Sequence, residues 1–542
     1  MWRGWKKGIG YVPSDQIRSE QTRSHREEIS RFLFAAVLCL YIYNSAKNIV
    51  IMETAPKRAR RDDDAMDEGA NTSGGAANLR FEDPFEDEIE VEDGASSSKA
   101  QAPALTSSNG AADGNTSKQM FIPGVDQLQD GEQLEYDNST YQMYHKLKLE
   151  WPCLSFDFIR DDLGQRRGKF PHQCTIVAGT QADATSKNKL LVLGLKDMHK
   201  TRNDDRDSDE EWSDDENALD DDPVLESRSV KHTGGVNRVR SMPQKPGIVA
   251  SWADTGRVYL WDLTQLVTNV SRPKNRPPVA QSNDKMMPIH CFKGHKDEGY
   301  AMDWSPVVQG KLATGDCKKY IHTWTVGEAG CAVDDVPFKG HEESVEDIQW
   351  SPSEGTVFAS CSVDQTVRIW DTRQKQNSML RVKAHDTDVN VISWNSKVSY
   401  LLASGSDDGS FKVWDLRNFK EGKTLGDFSW HKAPVSSIAW HPTDESVLAV
   451  GVANDQISVW DLALEDDQEH ARATAGLSEQ VVGSSGQAVD VPPQLLFLHC
   501  GQRDPKEIRF HPQIPGMIGS TAFNGFDAWI CEPLIPQGSN KR

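Results

Sequence analysis

The sequence predicts an all-β protein, a seven-bladed β-propeller, and three observations carry that reading. One is a fixed spacing: His232 and Trp261, His295 and Trp324, His341 and Trp370, His385 and Trp414, and His431 and Trp460 are each 29 residues apart. A sixth unit, His499 to Trp529, is one residue longer. The second is the interior of each unit, best seen in Gly340 to Asp371, where apolar and polar residues alternate from Val345 to Trp350 and from Thr366 to Trp370. Alternation broken by Ser-Pro, Gly and Asp describes short antiparallel strands joined by tight turns. The third is an aromatic nine residues after the histidine, at Trp304, Trp350, Trp394 and Trp440.

Self-similarity at this period means units that cannot bury their apolar faces alone and must stack on neighbours. Gly-His followed at this distance by Trp-Asp is the WD-repeat signature. Six marked units leave one to find upstream, and three strand-like runs supply it: Cys153 to Ile159, Cys174 to Gly179, and Leu190 to Leu195. The propeller is therefore assigned to residues 151–542, with an acidic insert at 203–222 between the first blade and the Val236 unit. A second insert, 465–493, lies between Asp461 and the last blade and ends in Pro492-Pro493.

Ahead of the propeller, residues 118–150 read as a closing strand at Met120 to Ile122 followed by a helix from about Asp137 to Leu147. Asp137 or Ser139 would cap that helix, and Tyr141, Tyr144 and Leu147 fall at helical spacing. Two readings of its aromatic face stand side by side: packing on the propeller flank, or lining a partner groove. Residues 52–117 are acidic and then poor in large apolar groups, so they are expected to be disordered. Residues 1–51 carry a basic stretch and the apolar run Phe32 to Tyr43, whose twelve residues are too few to span a bilayer. They read as an extension ahead of a working start at Met52. Lys57, Arg58, Arg60 and Arg61 follow that methionine as a basic nuclear-import signal.

The formal net charge is −21, concentrated in Asp62 to Asp93 and Asp204 to Asp222. Such tracts repel nucleic acid and attract basic proteins, so DNA or RNA as a direct ligand is disfavoured. Asp204, Asp205, Asp209, Glu210, Glu211, Asp214, Asp215 and Glu216 are the expected client-binding carboxylates. Ser208 and Ser213 precede acidic residues and are expected sites for an acid-directed kinase. The nine cysteines include no CxxC pair, which argues against a disulfide framework or a zinc site and for a reducing compartment.

His341, Ser360, Asp364 and Trp370 contain the ingredients of a nucleophilic triad, and His385, Ser404, Asp408 and Trp414 repeat them. A catalytic site does not recur once per blade, whereas a hydrogen-bond network that staples strands does. Lys318, Thr255 and Asn454 stand where other blades have Asp364, so those blades need other staples. With no phosphate loop, metal cluster or acid/base pair, the reading is a non-enzymatic protein without cofactor or metal.

YQMYHKLKLEWPCLSFDF (141–158), VNRVRSMPQKP (236–246), GHKDEGYAMDWSP (294–306) and PPQLLFLHCG (492–501) resemble the retinoblastoma-binding, chromatin-assembly histone-binding WD-repeat family. The FIPGVDQL stretch, PCLSFD and the acidic tract fit its glutamate-rich branch. The resemblance covers residues 118–542 and implies a propeller with a flanking helix, in which a histone helix lies between that helix and an acidic, proline-paired loop. Carried over, the groove would be lined by Tyr141, Tyr144, Leu147, Glu150, Trp151, Asp466, Asp467, Pro492 and Pro493. The loop departs from the family pattern, because few acids accompany Asp466 and Asp467 and a Gly/Ser stretch separates them from Pro492. That shifts weight to the acidic tracts. The implied role is an escort, in nucleus and nucleolus, for core histones and for a basic large-subunit ribosomal protein, acting in chromatin assembly and ribosome biogenesis as a monomer. Trp370-Asp371-Thr372-Arg373 and Trp414-Asp415-Leu416-Arg417 also resemble the element of substrate receptors that bind cullin-ligase adaptors. Arg373 and Arg417 would make that contact. A generic scaffold is the remaining alternative.

Overall fold

A computed structural model describes residues 140–201, 223–271, 286–464 and 491–534, together with the backbone of five short strands at 53–54, 80–82, 134–135, 481–482 and 488–489. The chain divides into the units Met1–Ile49 and Val50–Arg542, and all described residues belong to the second. The acidic tract, the import signal, Asp466, Asp467, Ser208, Ser213, Met120 to Ile122 and the apolar run at 32–43 lie outside the described residues.

Seven antiparallel sheets follow one another along the chain. Blade 1 is Cys153–Ile159, His172–Thr180, Lys189–Met198 and Val224–Lys231. Blade 2 is Val236–Met242, Lys245–Ala253, Val258–Asp262 and His290–Phe292, and blade 3 runs from Ala301–Trp304 to Gly330–Val333. Blade 4 begins at Val345–Trp350, blade 5 at Val389–Trp394 and blade 6 at Val435–Trp440, with Leu495–Cys500 as the outer strand of blade 6. Blade 7 takes Glu507–Phe510, Ile518–Ala522 and Gly525–Cys531 from the C-terminal end and its fourth strand, Tyr141–Lys148, from before blade 1.

That strand corrects the expected helix. Tyr141 to Lys148 pairs with Gly525–Cys531, setting Tyr144 opposite Trp529 and Leu147 opposite Phe526. Helical spacing of Tyr141, Tyr144 and Leu147 was one pattern in the segment. Tyr141, Met143 and Leu147, all buried, share one parity, and a strand packed between two blades buries both faces. The open edge of Gly525–Cys531 needs partners for its N–H and C=O groups, and this need overrides local propensity. Closure thus rests on Tyr141–Lys148, and Arg80–Glu82 adds a fifth strand outside it, Arg80 opposite Lys148 and Glu82 opposite Lys146.

The inserts are corrected as well. Residues 202–222 join the third and fourth strands of blade 1, and 465–490 join the third and fourth strands of blade 6, so neither lies between blades. The sequence unit is offset from the blade, since each marked histidine follows or ends the outer strand of the preceding sheet. This offset interlocks neighbours. The apolar clusters accordingly sit at junctions: Met143, Leu147, Phe526 and Ile530 of blade 7 pack with Phe156, Phe158 and Ile176 of blade 1. Tyr141, Tyr144 and Trp529 of blade 7 pack with Phe497, Val459 and Ile457 of blade 6.

In a four-stranded meander, connections from first to second and from third to fourth strand emerge at one end of the blade. Those from second to third strand, and on to the next blade, emerge at the other. The connections containing 202–222, 272–285 and 465–490 are all of the third-to-fourth kind, so they leave from one face of the ring.

Candidate functional site

The staples lie at the other face. In blade 4, Trp370 Nε1 donates to Ser360 Oγ (2.8 Å), Ser360 meets His341 Nε2 (2.7 Å), and His341 Nδ1 meets Asp364 (2.9 Å). Burial pulls the His341 pKa down, and burial against a hydrogen bond to His341 leaves the Asp364 carboxyl below its ordinary range. All four side chains are spent on each other.

The other blades vary this network. In blade 5, His385 Nδ1 meets Ser410 Oγ (3.0 Å), so Asp408 is displaced from the role expected of it and accepts the Ser410 N–H instead (2.8 Å). His385 Nε2 still meets Ser404 (2.8 Å), which accepts from Trp414 (2.9 Å). Blade 3 keeps an aspartate, but it is Asp316 rather than a residue at the Lys318 position, 3.1 Å from His295 Nδ1. In blade 2, His232 Nδ1 meets the Gly234 carbonyl (2.9 Å). In blade 6, Ser458 takes both His431 and Trp460 (2.8 Å each). In the last unit, Tyr141 Oη meets His499 Nδ1 (2.8 Å), so the closing strand completes the final staple.

The groove residues divide. Tyr141, Tyr144 and Leu147 are core side chains: Tyr141 stacks on Tyr144 (4.9 Å between centroids), and Tyr144 Oη donates to buried Asp527 (3.0 Å). They line no open groove, because a strand between two blades presents both faces to packing. Glu150 is exposed and ion-paired with Lys189 (3.0 Å), and half-buried Trp151 lies under Lys187 (5.2 Å). These two follow an outer strand, at the staple face. Pro492 and Pro493 precede the outer strand of blade 6, at the insert face. The ring therefore does bring the segment of Tyr141 beside that of Phe497, but it holds Glu150-Trp151 and Pro492-Pro493 at opposite ends.

Arg373 and Arg417 stand on the insert face of adjacent blades. Arg373 is bound to Asp371 (2.5 Å) and Arg417 to Asp415 (2.6 Å), and both side chains remain mostly exposed. The Arg417 guanidinium also lies 3.5 Å from the Tyr400 ring centroid.

Sequence reasoning missed a ring of charges on the innermost strands. Glu507 of blade 7 faces Arg240 (2.5 Å) and Arg238 (3.2 Å) of blade 2 and accepts from Ser155 Oγ (2.7 Å) and Phe156 N–H (3.0 Å) of blade 1. Asp157 accepts the Ser241 N–H (2.9 Å) and pairs with Arg509 (3.2 Å). Asp303 accepts the Trp350 N–H (2.8 Å), and Asp347 the Ile392 N–H (3.3 Å). Trp394 N–H reaches Gln349 (2.8 Å), Trp440 Nε1 the Ser393 carbonyl (2.9 Å), Ile508 N–H Ser437 Oγ (3.1 Å), and Trp304 Nε1 the Arg240 carbonyl (3.0 Å). Inner strands of neighbouring blades do not pair in a sheet, so side chains bridge them and satisfy buried backbone groups. Glu507 is fully enclosed; burial opposes its charge, but Arg240, Arg238 and Arg509 hold its pKa near 2. Burial pushes Asp303 up to about 7, against the Trp350 N–H and Arg240. The visible signal was a charged residue at matching places in otherwise apolar first strands: Asp157, Arg238, Arg240, Asp303, Asp347 and Glu507.

Comparison with known proteins agrees with this architecture. Residues 131–199 match the family model that describes histone-binding protein RBBP4 and its counterpart in the CAF1 complex, a span that holds the closing strand and most of blade 1. Residues 335–371, 376–415 and 422–461 match the WD domain, G-beta repeat. The chain is 45% identical over 425 residues to protein HEAT STRESS TOLERANT DWD 1 of Arabidopsis thaliana, covering 75% of this chain and 90% of that one. It is 47% identical over 420 residues to glutamate-rich WD repeat-containing protein 1 of Dictyostelium discoideum, covering 76% and 84%. With ribosome assembly protein rrb1 of Schizosaccharomyces pombe it shares 41% over 462 residues, 83% of this chain and 92% of that one. With relatives this similar over most of their length, the chain belongs to the glutamate-rich, ribosome-assembly branch of the histone-binding WD-repeat family.

Proposed function

We propose that the protein is a non-enzymatic escort for basic proteins, core histones and a basic ribosomal protein of the large subunit, working in nucleus and nucleolus during ribosome and chromatin assembly. The observation that carries this reading is the match of residues 131–199 to the histone-binding family model, immediately ahead of the tract Asp204 to Asp222. The tract contributes twelve carboxylates and one arginine, Arg206, so it offers a basic client many weak contacts. Each exposed contact is worth at most about 1 kcal/mol and is screened beyond about 8 Å at physiological salt. Their sum acts on the rate of encounter more than on residence. Phosphate on Ser208 and Ser213 would add about −1.5 to −2 charges each and strengthen the same field. Lys57, Arg58, Arg60 and Arg61 would deliver the protein to the nucleus.

The test is a stopped-flow titration of the full chain with core histones and, separately, with a purified basic ribosomal protein of the large subunit. Replacing the carboxylates of 204–222 with Asn and Gln should slow association at low salt about tenfold while release changes little. An association rate that ignores both salt and the substitution removes the tract from the function, and no binding of either client removes the function itself.

A further inference from the structure

Blade 1 carries a positive patch on a protein of net charge −21. The connection between its first two strands, residues 160–171, is RDDLGQRRGKFP. Arg160, Arg166 and Lys169 are exposed there, and no ion pair holds any of them among the described residues. Lys200 joins them from the end of the third strand, its ammonium 5.5 Å from the Phe170 ring centroid. Asp162 is the exposed acid among them. Asp161 is taken by Arg167 (3.0 Å), and Glu226 by Lys196 (2.9 Å).

The connection is built rather than loose. Buried Gln513 of blade 7 receives the Asp161 N–H (2.9 Å) and donates to the carbonyls of Asp161 (2.8 Å) and Gly164 (3.1 Å). Its own carbonyl takes the Arg167 N–H (2.9 Å). The segment is thus pinned at three points with its cationic side chains turned outward. Buried histidines beneath it report the same field: burial first, then Arg167, lowers His172 to about 4, and burial first, then Arg167, His172 and Arg160, holds His511 well below its ordinary value.

The acidic tract begins and ends beside this patch. Its leading end is fixed at Thr201, whose N–H reaches the Gln142 carbonyl (3.0 Å) and whose hydroxyl takes the Tyr144 N–H (2.7 Å). Its trailing end enters the strand Val224–Lys231, where Val224 pairs with Lys196. A tether of this length keeps the tract at roughly millimolar effective concentration over surfaces next to its ends.

We infer that the tract Asp204 to Asp222 docks in cis on Arg160, Arg166, Lys169 and Lys200, and that a basic client must displace it from there. Resting on the escort function proposed above, this adds its regulation: the patch and the client compete for the same carboxylates. Charge complementarity and the position of both tract ends favour this occupant over a nucleic-acid phosphate backbone, which the tract itself would repel.

Carbodiimide coupling of the full chain, which joins a lysine amine to a carboxylate in contact with it, tests the docking without any client. Mass spectrometry should find Lys169 coupled to residues 204–222 at low salt. The yield should be about fivefold lower at high salt or in the double change Arg160→Glu, Arg166→Glu. Exposed Lys420 and Lys423, on blade 5, should couple far less. Both substituted arginines are exposed, and an unchanged melting temperature would confirm that the variant is folded. If Lys169 couples no more than Lys420 and Lys423, or if the arginine changes leave its yield intact, the docking is refuted. In the same variant, core histones should associate about fivefold faster, because the tract is released. Lost coupling with an unchanged histone rate refutes the competition. Histones that bind neither protein, with coupling intact, refute the escort function and leave the docking standing. Fluorescent oligouridine that binds the native chain and is lost on arginine reversal, with coupling unaffected, would assign the patch to RNA and overturn the inference.

Discussion

Tyr144 separates a packed seam from an open groove, and its replacement gives opposite results for the two. Its ring is buried between blades 6 and 7, stacked on Tyr141, and its hydroxyl donates to Asp527 at 3.0 Å. Tyr144→Ala removes a ring whose deletion in a core costs about 3–5 kcal/mol. It also strips Asp527 of a donor, adding about 1–3 kcal/mol, because the remaining neighbour, His499 Nε2, is 3.5 Å away. A total on the order of 4–8 kcal/mol compares with the 5–15 kcal/mol that holds a typical domain. Tyr144→Phe keeps the ring and loses the hydroxyl alone, so its cost should be about 1–2 kcal/mol. Urea unfolding followed by tryptophan fluorescence measures both, with histone binding measured on the same folded samples. The alanine variant should unfold well before the wild type, and the phenylalanine variant should lie between while binding histones normally. An alanine variant that melts with the wild type yet binds histones ten times more weakly would show that the strand meets the client, and would refute the packing reasoning.

Glu507→Gln should destabilise the ring by about 3–5 kcal/mol, because it leaves buried Arg240 and half-buried Arg238 without their shared carboxylate; a melting temperature within a degree of the wild type would show that Asp157 and Asp347 take them over. Acid should weaken the fold: burial holds His232 and His431 near 4, below an unfolded value near 6.5, so the unfolded chain takes up protons first. Stability is then full above about pH 6.5 and falls as pH drops towards 4, by up to about 3 kcal/mol per histidine. Asp303, raised to about 7, works the other way, its contribution present at low pH and lost as pH rises from about 4 to 7. Urea midpoints measured across that range should fall towards acid; a flat profile in wild type and in Asp303→Asn alike would refute both assignments.

The propeller was legible because its determinants are local and repeated. A histidine, a turn and a Trp-Asp end recur at fixed spacing, and alternation within each unit marks the strands. The closing strand was not, because it is defined by a partner more than 370 residues away: Tyr144 is a strand residue only because Trp529 offers an open edge. The offset between sequence unit and blade hid the place of both inserts for the same reason, since a fourth strand that follows a long insert carries no mark of the sheet it rejoins. The staples were half legible. Position identified His341 and Asp364, but the substitution of Ser410 for Asp408, and of Asp316 for the Lys318 site, depends on which oxygen reaches Nδ1 in space. The inner ring of Glu507, Arg238 and Arg240 was visible only as charges in apolar strands, and its meaning required knowing which first strands face one another across blades 1, 2 and 7.

Ring closure and the anchoring of the acidic segments meet at one place in this molecule. Tyr141 completes the staple of His499, Tyr144 and Gln142 anchor Thr201 at the head of the acidic tract, and Lys146 and Lys148 stand opposite Glu82 and Arg80. Both acidic segments of the chain, the one that follows Glu82 and the one that follows Thr201, are therefore tied to a single eight-residue strand. Loss of that strand from the sheet would open the ring and unfasten both segments together. A repeat protein whose blades are held mainly by neighbours has one seam where the sequence does not run through, and its stability is limited there. Anchoring the charged segments at the seam ties their points of attachment to the completeness of the ring. The family-model match at 131–199 spans this strand together with three strands of blade 1 and stops just short of the second segment, so the sequence shared with that family model includes the seam.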